Sequence, residues 1–351
     1  MLRTAIIGAA GYTGSELVRL IHRHPELSLE VVAARDNAGK RLGQVVPSTL
    51  GVKGLGDRVL EAFDPNDAAS LAKRVDVVFL CLPHAASARA GKALYDAGLR
   101  VVDLSADFRL KSQETYEKTY GPHPAPELFE KAVYGLPELH RKELAGARLI
   151  AAPGCYPTSA ILPLAPLLKA GLIAPDGIII DSKSGVSGAG RTPGQAYHLP
   201  ETAEGIRPYK VAGAHRHLPE IEQELSLAAG GSLQVVFTPH LAPMTRGILS
   251  VAYARLLPGK TEDDCRRAAE ELYREGLVSV LEKGVLPDTL WVRGSARAHV
   301  GYAVDTRVST VLAMGAIDNL AKGASAQAIQ ALNVSQGWPD ALGLPEVASF
   351  P

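Results

Sequence analysis

Between Thr4 and Gly14 the sequence reads TAIIGAAGYTG, and this stretch decides the fold of the chain. A short, β-prone apolar run leads into three glycines spaced three residues apart, and Ser15–Ile21 then carries apolar side chains at helical spacing. A second apolar strand is predicted from Leu29 to Ala34. Glycines alone would also suit a plain turn, but a βαβ unit with this turn is typical of dinucleotide binding, because the main chain can approach the pyrophosphate closely. The predicted cofactor-binding residues here are Gly8, Ala10, Gly11, Tyr12, Thr13 and Gly14.

The residues after the second strand indicate which dinucleotide is bound. An acidic residue at this point favours the ribose 2′-hydroxyl of NAD, whereas an arginine favours the 2′-phosphate of NADP. Here the strand is followed by Arg35, with Lys40 and Arg41 close behind it. The pattern predicts NADP(H) as the cofactor and Arg35 as a cofactor-binding residue, while Asp36 keeps NAD open.

Composition argues against several classes of partner. Lys and Arg together number 37, as do Asp and Glu, so a net charge of +0 gives no general attraction for nucleic acid or an anionic membrane. Cys81, Cys155 and Cys265 are widely spaced and odd in number, which indicates a reducing compartment rather than a disulfide framework or a zinc motif. No run of 18 apolar residues occurs. We therefore predict a cytoplasmic protein of about two domains, with a small-molecule substrate, no metal, no nucleic acid and no membrane.

A group of polar residues follows a predicted strand at Arg100–Leu104. Ser105, Asp107 and Arg109 occupy alternate positions just past the strand end, where ligands bind in doubly wound sheets. We predict that Ser105 and Arg109 contact an anionic group of the substrate. The alternative for Arg109 is a structural ion pair.

Cys155 is the best candidate for a nucleophile, within the sequence PGCYPT from Pro153 to Thr158. It lies between a predicted apolar strand and an apolar helical segment. The positive end of a helix stabilises the thiolate of a cysteine just ahead of it and so lowers the pKa of the thiol. Pro163 interrupts the pattern, so we expect the regular helix to begin nearer Leu162, which weakens this effect. The alternative is a buried, inert cysteine beside a tight turn.

A glycine- and serine-rich loop runs from Ser184 to Arg191. Its main-chain N–H groups suit an anion such as a phosphate, although a flexible turn is equally compatible. Ser187 and Gly188 are predicted cofactor-binding residues. Lys183, at the end of the preceding strand, and Arg246, at the start of a later one, are predicted to bind the anionic substrate.

Two histidines, His215 and His217, directly precede a predicted helix with Pro219 in its first turn. The positive end of the helix disfavours imidazolium, so a histidine here should be neutral near pH 7 and able to accept a proton. Zinc binding and an ordinary polar cap are the alternatives, but no third zinc ligand stands at a familiar spacing. A dinucleotide site, a cysteine nucleophile and an acid/base histidine together suit interconversion of an aldehyde and an acyl derivative through a thioester.

Beyond Cys155 the pattern changes from alternating strands and helices to longer strands with few helices between them. The predicted fold class is therefore α/β, with a Rossmann-type doubly wound parallel sheet and a second α+β domain whose sheet is largely antiparallel or mixed. We expect residues 1–152 to form the NADP-binding domain, completed by a C-terminal helix within 316–351. Residues 153–315 are expected to form the catalytic, substrate-binding and oligomerisation domain. The C-terminal helix itself is predicted over Ile317–Leu332.

Five motifs, in order along nearly the whole chain, resemble the N-acetyl-gamma-glutamyl-phosphate reductase family. They are GAAGYTG at 8–14, LSADFR at 104–109, PGCYPT at 153–158, HRHLPE at 215–220 and DNLAKG at 318–323. The resemblance implies NADPH-dependent reduction of an acyl phosphate to N-acetylglutamate semialdehyde in arginine biosynthesis, by a homo-oligomer that is usually a tetramer. It implies Cys155 as nucleophile, His217 as acid/base with His215 not excluded, and Asn319 near the nicotinamide amide.

Two other functions are weighed against this one. A sister family that acts on the one-carbon-longer N-acetyl-aminoadipyl phosphate in lysine biosynthesis shares most motifs, but an AGCN-type sequence replaces PGCY in its pattern, which favours the glutamyl substrate. A non-catalytic NADP-binding redox regulator would have a dispensable thiol and no acid/base histidine, and the presence of both Cys155 and His217 argues against it.

Overall fold

The computed structural model describes residues 1–350, which form two compact units. The first unit contains Met1–Pro153 and Ala324–Leu344, and the second contains Gly154–Gly323 and the residues from Pro345 onward. This division differs from the expected one at the C-terminus, where residues 316–323 and those from 345 onward belong with the second unit. No helix within residues 1–350 is long and apolar enough to cross a membrane.

The first unit is built on a six-stranded sheet. Its strands are β1 (Leu2–Ile7), β2 (Leu27–Ala33), β3 (Val77–Leu80), β4 (Arg100–Asp103), β5 (Ala132–Tyr134) and β6 (Leu149–Ala151). The helices of this unit that precede β6 are α1 (Tyr12–Ile21), α2 (Leu42–Val45), α3 (Ala68–Leu71), α4 (Ala86–Asp96), α5 (Gln113–Tyr120) and α6 (Pro137–Leu144).

The strand order β2-β1-β3-β4-β6-β5, with every neighbouring pair parallel, confirms the predicted doubly wound sheet. All four residues of β3 are apolar and buried, as expected for a parallel strand covered on both faces. The chain leaves the sheet centre in opposite directions from β1 and β3, and ligands of such sheets bind at the carboxyl ends of the strands beside this switch point. The glycine turn after β1 lies at this place.

The second unit is built on a seven-stranded sheet. Its strands are β7 (Ile178–Gly185), β8 (Arg207–Pro208), β9 (Val235–Ala242), β10 (Ile248–Arg255), β11 (Val278–Val280), β12 (Ala298–Asp305) and β13 (Thr310–Ile317). Its helices are α7 (Cys155–Lys169), α8 (Leu199–Thr202), α9 (Leu218–Ala229) and α10 (Glu262–Leu272). The order is β11-β12-β13-β10-β7-β9-β8, in which the pairs β11–β12 and β7–β9 are parallel and the others antiparallel, so the predicted mixed sheet is confirmed.

Helix α7 packs on one face of this sheet. The Oγ of Ser159 on the helix lies 2.7 Å from that of Ser250 on β10, and a Cβ at Gly315 of β13 would stand 2.3 Å from the Ser159 carbonyl oxygen. The opposite face, here called the open face, carries Ile179 and Tyr253, whose side chains are exposed. The alternation of buried and exposed residues along β7 and β10 therefore separates a helix-covered face from an open one.

Helix α7 begins at Cys155 itself, so the prediction that the regular helix begins nearer Leu162 is wrong. Pro163 and Pro166 both lie inside the helix. A proline has no N–H and so leaves the carbonyl four residues earlier without its helical donor. For Pro166 that carbonyl belongs to Leu162, and the hydroxyl of Tyr273 donates to it at 2.7 Å. A tyrosine on a neighbouring element thus replaces the missing hydrogen bond and allows the helix to continue.

The last helix begins later than predicted. Strand β13 runs to Ile317, and Oδ1 of Asp318 then accepts the main-chain N–H groups of Leu320 and Ala321, each at 2.9 Å. A π-helical turn at Ala321–Ser325 leads into α11 (Ala326–Ser335). The side chain of Asp318 therefore caps a turn, and the prediction of a helix from Ile317 is wrong for its first residues.

Candidate active site

Cys155 is the first residue of α7 and is half-buried. The N–H groups of a first helical turn have no partners within the helix, so the start of α7 stabilises a thiolate at this position. The other two thiols stay protonated near neutral pH, because burial raises the pKa of Cys81 and that of Cys265 to about 12. Cys155 is therefore the thiol best placed to act as a nucleophile.

The main chain ahead of Cys155 is fixed by a carboxylate. Gly154 is the N-cap of α7, and its N–H donates to Oε1 of Glu220 at 2.8 Å. Glu220 lies in the first turn of α9 and is 2% exposed. The contact joins the N-terminal ends of α7 and α9, so it brings the helix that starts at Cys155 to the helix that His217 caps.

His217 is the N-cap residue of α9, with Pro219 in the first turn as predicted. Its ring centroid lies 6.1 Å from that of Tyr156, the residue directly after Cys155. Because the positive end of a helix favours the neutral imidazole, this position suits a group that accepts a proton.

His215 lies beside His217, with 5.0 Å between the two ring centroids. Burial, followed by the positive charges of Lys210 and Arg216, lowers the pKa of His215 to about 4. His215 is therefore neutral throughout the pH range in which an acid/base histidine must titrate. Within the part of the chain that the structure describes, no group of three or more His, Cys, Asp or Glu side chains is arranged to hold a metal ion.

The segment after β13 also packs against the nucleophile. A Cβ at Gly323 would lie 2.9 Å from the Cβ of Cys155, so the close approach requires glycine. Asn319 donates from Nδ2 to the Oγ of Ser187 at 2.9 Å and accepts the N–H of Gly247 at Oδ1 at 2.8 Å. The predicted cofactor residues Ser187 and Asn319 are thus brought together. Gly188 is next to them, since a Cβ there would lie 3.8 Å from the Asn319 Nδ2.

The two cations predicted to bind substrate in this unit both have carboxylate partners. The guanidinium of Arg246 pairs at 2.8 Å with Asp318, which is fully buried. The ammonium of Lys183 pairs at 2.9 Å with Asp181. Lys183 is four residues along β7 from Ile179, so its side chain lies on the open face, away from α7. This position favours a role at that face over one beside Cys155.

In the first unit, Ser105 and Arg109 form hydrogen bonds to neighbouring residues of the same unit. Arg109 is 7% exposed, and it donates from Nε to the Ala152 carbonyl at 2.7 Å and from Nη2 to the Leu104 carbonyl at 2.9 Å. Ser105 donates to Oδ2 of Asp103 at 2.6 Å. These contacts hold the segments that follow β4 and β6, which favours a structural role for Arg109 over the predicted substrate contact.

The glycine turn after β1 brings main-chain segments so close together that side chains at Gly8 and Gly14 would clash. Gly8 has φ of +96°, and a Cβ there would lie 2.3 Å from the Cys81 carbonyl oxygen. A Cβ at Gly14 would lie 2.3 Å from the Gly8 carbonyl oxygen, so α1 can pack this closely only with glycine. Gly11 is the N-cap of α1. Ala10 lies in the turn, and Tyr12 and Thr13 are the first two residues of the helix, where main-chain N–H groups can meet an anion.

A cavity of about 230 Å³ lies beside this turn, and its walls are mostly apolar. Two guanidinium groups line it, those of Arg35 after β2 and Arg89 on α4. Across residues 1–350 neither guanidinium forms an ion pair with a carboxylate. An apolar cavity with two uncompensated arginines suits the adenine ring and the 2′-phosphate of NADP, so the residues present fit the predicted cofactor.

Three residues of the site were not predicted from the sequence as functional, namely Arg89, Glu220 and Gly323. Arg89 stands in an alanine-rich segment that predicts a helix without indicating which side of it faces a cavity. Glu220 and Gly323 fall inside two of the quoted motifs, but only the fold places the carboxylate on the Gly154 N–H and the glycine against Cys155.

Comparison with known proteins supports the two-domain fold. Residues 3–147 match the model of the semialdehyde dehydrogenase NAD-binding domain, and residues 155–319 match that of the semialdehyde dehydrogenase dimerisation domain. Among solved structures, aspartate semialdehyde dehydrogenase II from Vibrio cholerae, complexed with ASA, has a TM-score of 0.71 at 16% identity over 95% of this chain and 98% of that one. The enzyme from Candida albicans, solved with NADP, has a TM-score of 0.68 at 17% identity over 96% and 98%. At such identities these structures share the fold.

Curated relatives are much closer in sequence. The N-acetyl-gamma-glutamyl-phosphate reductase of Geobacter sp. strain M21 is 49% identical over 100% of both chains. Those of Syntrophobacter fumaroxidans and Moorella thermoacetica are each 48% identical, over 99% and 98% of this chain and 98% of their own. The chain therefore belongs to the N-acetyl-gamma-glutamyl-phosphate reductase family.

Proposed function

We propose that the chain reduces N-acetyl-gamma-glutamyl phosphate to N-acetylglutamate 5-semialdehyde and phosphate with NADPH, a step of arginine biosynthesis. The observation that carries the proposal is the meeting of two helix N-termini in the second unit, one at Cys155 and the other at His217. The start of α7 favours a thiolate and the start of α9 favours a neutral imidazole, which supports Cys155 as nucleophile and His217 as acid/base group. Relatives that match the whole chain take their name from the same substrate, which supports the choice of acyl phosphate.

The first unit provides the residues that would hold NADP(H). Gly8 and Gly14 allow the main chain to approach the pyrophosphate at the start of α1, and Arg35 and Arg89 would bind the adenosine 2′-phosphate. When bound, the nicotinamide supplies the hydride that reduces the acyl group. The related fold solved with NADP supports the same assignment.

In the reaction that we propose, Sγ of Cys155 attacks the acyl carbon and a carbon–sulfur bond forms. The carbon–oxygen bond to phosphate breaks, and phosphate leaves with the bonding electron pair. Once the thioester has gained hydride, the acyl carbon carries an oxyanion. His217, which takes up the proton of the Cys155 thiol as the thiolate forms, donates that proton to this oxygen and takes it back as the carbon–sulfur bond breaks, which releases the semialdehyde and restores the thiolate. The hydrogen bond from the Gly154 N–H to Oε1 of Glu220 holds the main chain ahead of Cys155 during both steps.

The experiment that tests the nucleophile runs the reaction in reverse, with N-acetylglutamate semialdehyde, phosphate and NADP, and follows the formation of NADPH. We expect Cys155→Ser to lose at least about 10³-fold in kcat, because loss of a covalent nucleophile removes the thioester route. Cys265→Ala is the matched control, since Cys265 is fully buried in α10 and has no part in the reaction that we propose. Wild-type turnover by Cys155→Ser would contradict the proposal.

The same assay decides the chain length of the substrate. Run with both semialdehydes, it should give the higher kcat/KM with the glutamate compound, and a preference for the aminoadipate compound would point to the sister reaction of lysine biosynthesis. Complete alkylation of Cys155 by iodoacetate without loss of turnover would instead favour a non-catalytic dinucleotide-binding regulator.

We further propose that the chain works in the cytoplasm as a homodimer or homotetramer that assembles through the open face of the second sheet. Ile179 and Val236 pair in register on β7 and β9, and Ile179 and Tyr253 pair in register on β7 and β10. These three apolar side chains are 45%, 58% and 39% exposed and form one row across the sheet. The match to a dimerisation domain over residues 155–319 supports a second copy as the partner. Val236→Glu should shift the sedimentation coefficient toward that of the monomer, and an unchanged coefficient would exclude this face.

A further inference from the structure

His215 is enclosed by aromatic rings from three separate elements. The ring centroids of Tyr156 on α7, Tyr209 after β8 and Phe237 on β9 lie 5.3, 5.5 and 5.3 Å from that of His215. The interplanar angles are 82°, 76° and 85°, so all three contacts are of the edge-to-face type, which attracts beyond simple burial. The hydroxyl of Tyr209 also donates to that of Tyr156 at 3.1 Å, which ties two of the rings together. His215 is therefore held more rigidly than an ordinary cap residue.

One nitrogen of this ring holds the main chain of His217. Nδ1 of His215 accepts the His217 N–H at 3.1 Å. A ring nitrogen that accepts a hydrogen bond carries no proton, so the contact requires neutral His215 with its proton on Nε2. Because His217 caps α9, fixing its main chain at this point also fixes the direction in which its imidazole leaves the helix.

The groups around His215 keep it in this protonation state. Lys210 and Arg216 are the charged side chains that act on it, and both disfavour a further positive charge, so that together with burial they lower its pKa to about 4. Tyr156 and Tyr209 stay neutral, because burial raises the pKa of each well above the ordinary value. His217 is the remaining titratable group in ring contact with His215.

We propose that His215 is a positioning residue, whose neutral ring, locked between Tyr156, Tyr209 and Phe237, orients the acid/base His217 through the His217 main-chain N–H. The proposal rests on the proposed function of His217, and it assigns the two histidines of the HRH sequence different roles. Displacement of a catalytic group by about 1 Å can cost about 100-fold in rate, so this contact matters even though His215 itself exchanges no proton with substrate.

Two substitutions test the hydrogen-bond acceptor of His215 and its aromatic contacts separately. His215→Asn keeps an oxygen that can accept the N–H two residues later, as in an Asx turn, while His215→Phe keeps the aromatic contacts and loses the acceptor. We expect His215→Phe to lose about 10- to 100-fold in kcat with KM changed less, and His215→Asn to lose less than about 10-fold. Both variants should keep the pH dependence of kcat, whereas His217→Asn should lose about 10²–10⁴-fold and the limb that reports the acid/base group. An equal loss in both His215 variants, with that limb gone, would make His215 the acid/base group and overturn the proposal.

A second measurement does not depend on the reductase reaction. The ¹⁵N chemical shifts of His215 in the full-length wild-type protein should show the Nε2–H tautomer and no protonation above about pH 5. A proton on Nδ1, or titration of His215 near pH 6.5, would refute the positioning role whether or not the enzyme reduces the acyl phosphate. If the tautomer is as expected but the wild-type protein lacks reductase activity, the proposed function fails and the structural inference on His215 stands. Unchanged kcat in His215→Phe would refute the inference as well.

Discussion

Replacing the buried Asp103 by asparagine should change how the stability of the first unit depends on pH. Asp103 ends β4, is fully buried and accepts hydrogen bonds from Ser87 at 2.5 Å and Ser105 at 2.6 Å. Burial, and then the negative charge of Asp107, raise its pKa to about 6 from an unfolded value near 4. Since one pKa unit corresponds to about 1.4 kcal/mol, the shift is worth about 3 kcal/mol.

The sign follows from the direction of the shift. A carboxyl whose pKa is higher in the folded state binds its proton more tightly there, so its contribution is fully present below about pH 4 and is lost as the pH rises through about 6. In Asp103→Asn the side chain no longer titrates. We therefore expect the free energy of unfolding of the wild type, relative to the variant, to fall by about 2 kcal/mol between pH 4 and pH 7, which is most of the full effect.

The assay is urea unfolding of both proteins at several pH values, followed by tryptophan fluorescence. In a Trp291→Phe background the signal comes from Trp338, which belongs to the first unit, as Asp103 does. Asp76→Asn is the control of opposite sign, because the hydrogen bond from Arg3 lowers the pKa of Asp76 and the wild type should gain on that variant as the pH rises. A difference between wild type and Asp103→Asn that is independent of pH, or that grows with pH, would refute the reasoning.

Three further substitutions test the site. Arg35→Ala and Arg89→Ala should each raise KM for NADPH about 10- to 100-fold in steady-state kinetics, with little change in KM for NADH. The reason is that a hydrogen bond to a charged group is worth about 1.5–3 kcal/mol. Equal effects on both dinucleotides would argue against binding of the 2′-phosphate. Gly323→Ala places a methyl group 2.9 Å from the Cβ of Cys155. It should slow alkylation of that thiol by iodoacetamide and lower the free energy of unfolding by about 1–3 kcal/mol. An unchanged alkylation rate would mean that the main chain around Cys155 can shift to make room. Glu220→Gln keeps the shape but not the charge of the side chain that accepts the Gly154 N–H. The free energy of unfolding, measured by thermal denaturation, should fall by about 1–2 kcal/mol, and kcat should fall with it. Wild-type values of both would show that Glu220 is not part of the site.

Local pattern was enough to predict the first sheet except for β5, because no strand was predicted between residues 111 and 148. The glycine turn, the apolar strand of β3 and the alanine-rich α4 each carry a short-range signal, because a fully buried parallel strand is apolar throughout and a dinucleotide turn needs glycine for steric reasons. The five longer strands of the second sheet were also predictable as elements, whereas the short β8 and β11 were not predicted. Their order was not predictable, since the pairing of β10 with β7 and β13 depends on contacts between residues more than 50 positions apart.

The start of α7 shows why the sequence pattern gave a wrong prediction at this helix. Pro163 argues locally against a regular helix from Cys155, yet α7 runs through both Pro163 and Pro166, and the hydroxyl of Tyr273 donates to the carbonyl that Pro166 leaves without a helical donor. The partners of Arg109 and Lys183 were likewise beyond prediction. Whether a cation meets a substrate, a main-chain carbonyl or a neighbouring aspartate depends on the fold around it.

The residues that we propose for acyl transfer and those that we propose for dinucleotide binding belong to different units of the chain. Cys155, His217 and Glu220 are residues of the second unit, whereas the glycine turn and the cavity with Arg35 and Arg89 are features of the first. If the assignments proposed above hold, acyl transfer to the thiolate uses catalytic side chains of the second unit alone. With N-acetyl-gamma-glutamyl phosphate and no dinucleotide, radiolabelled phosphate should exchange into the acyl phosphate through the reversible thioester, and this partial reaction should survive substitution of Arg89.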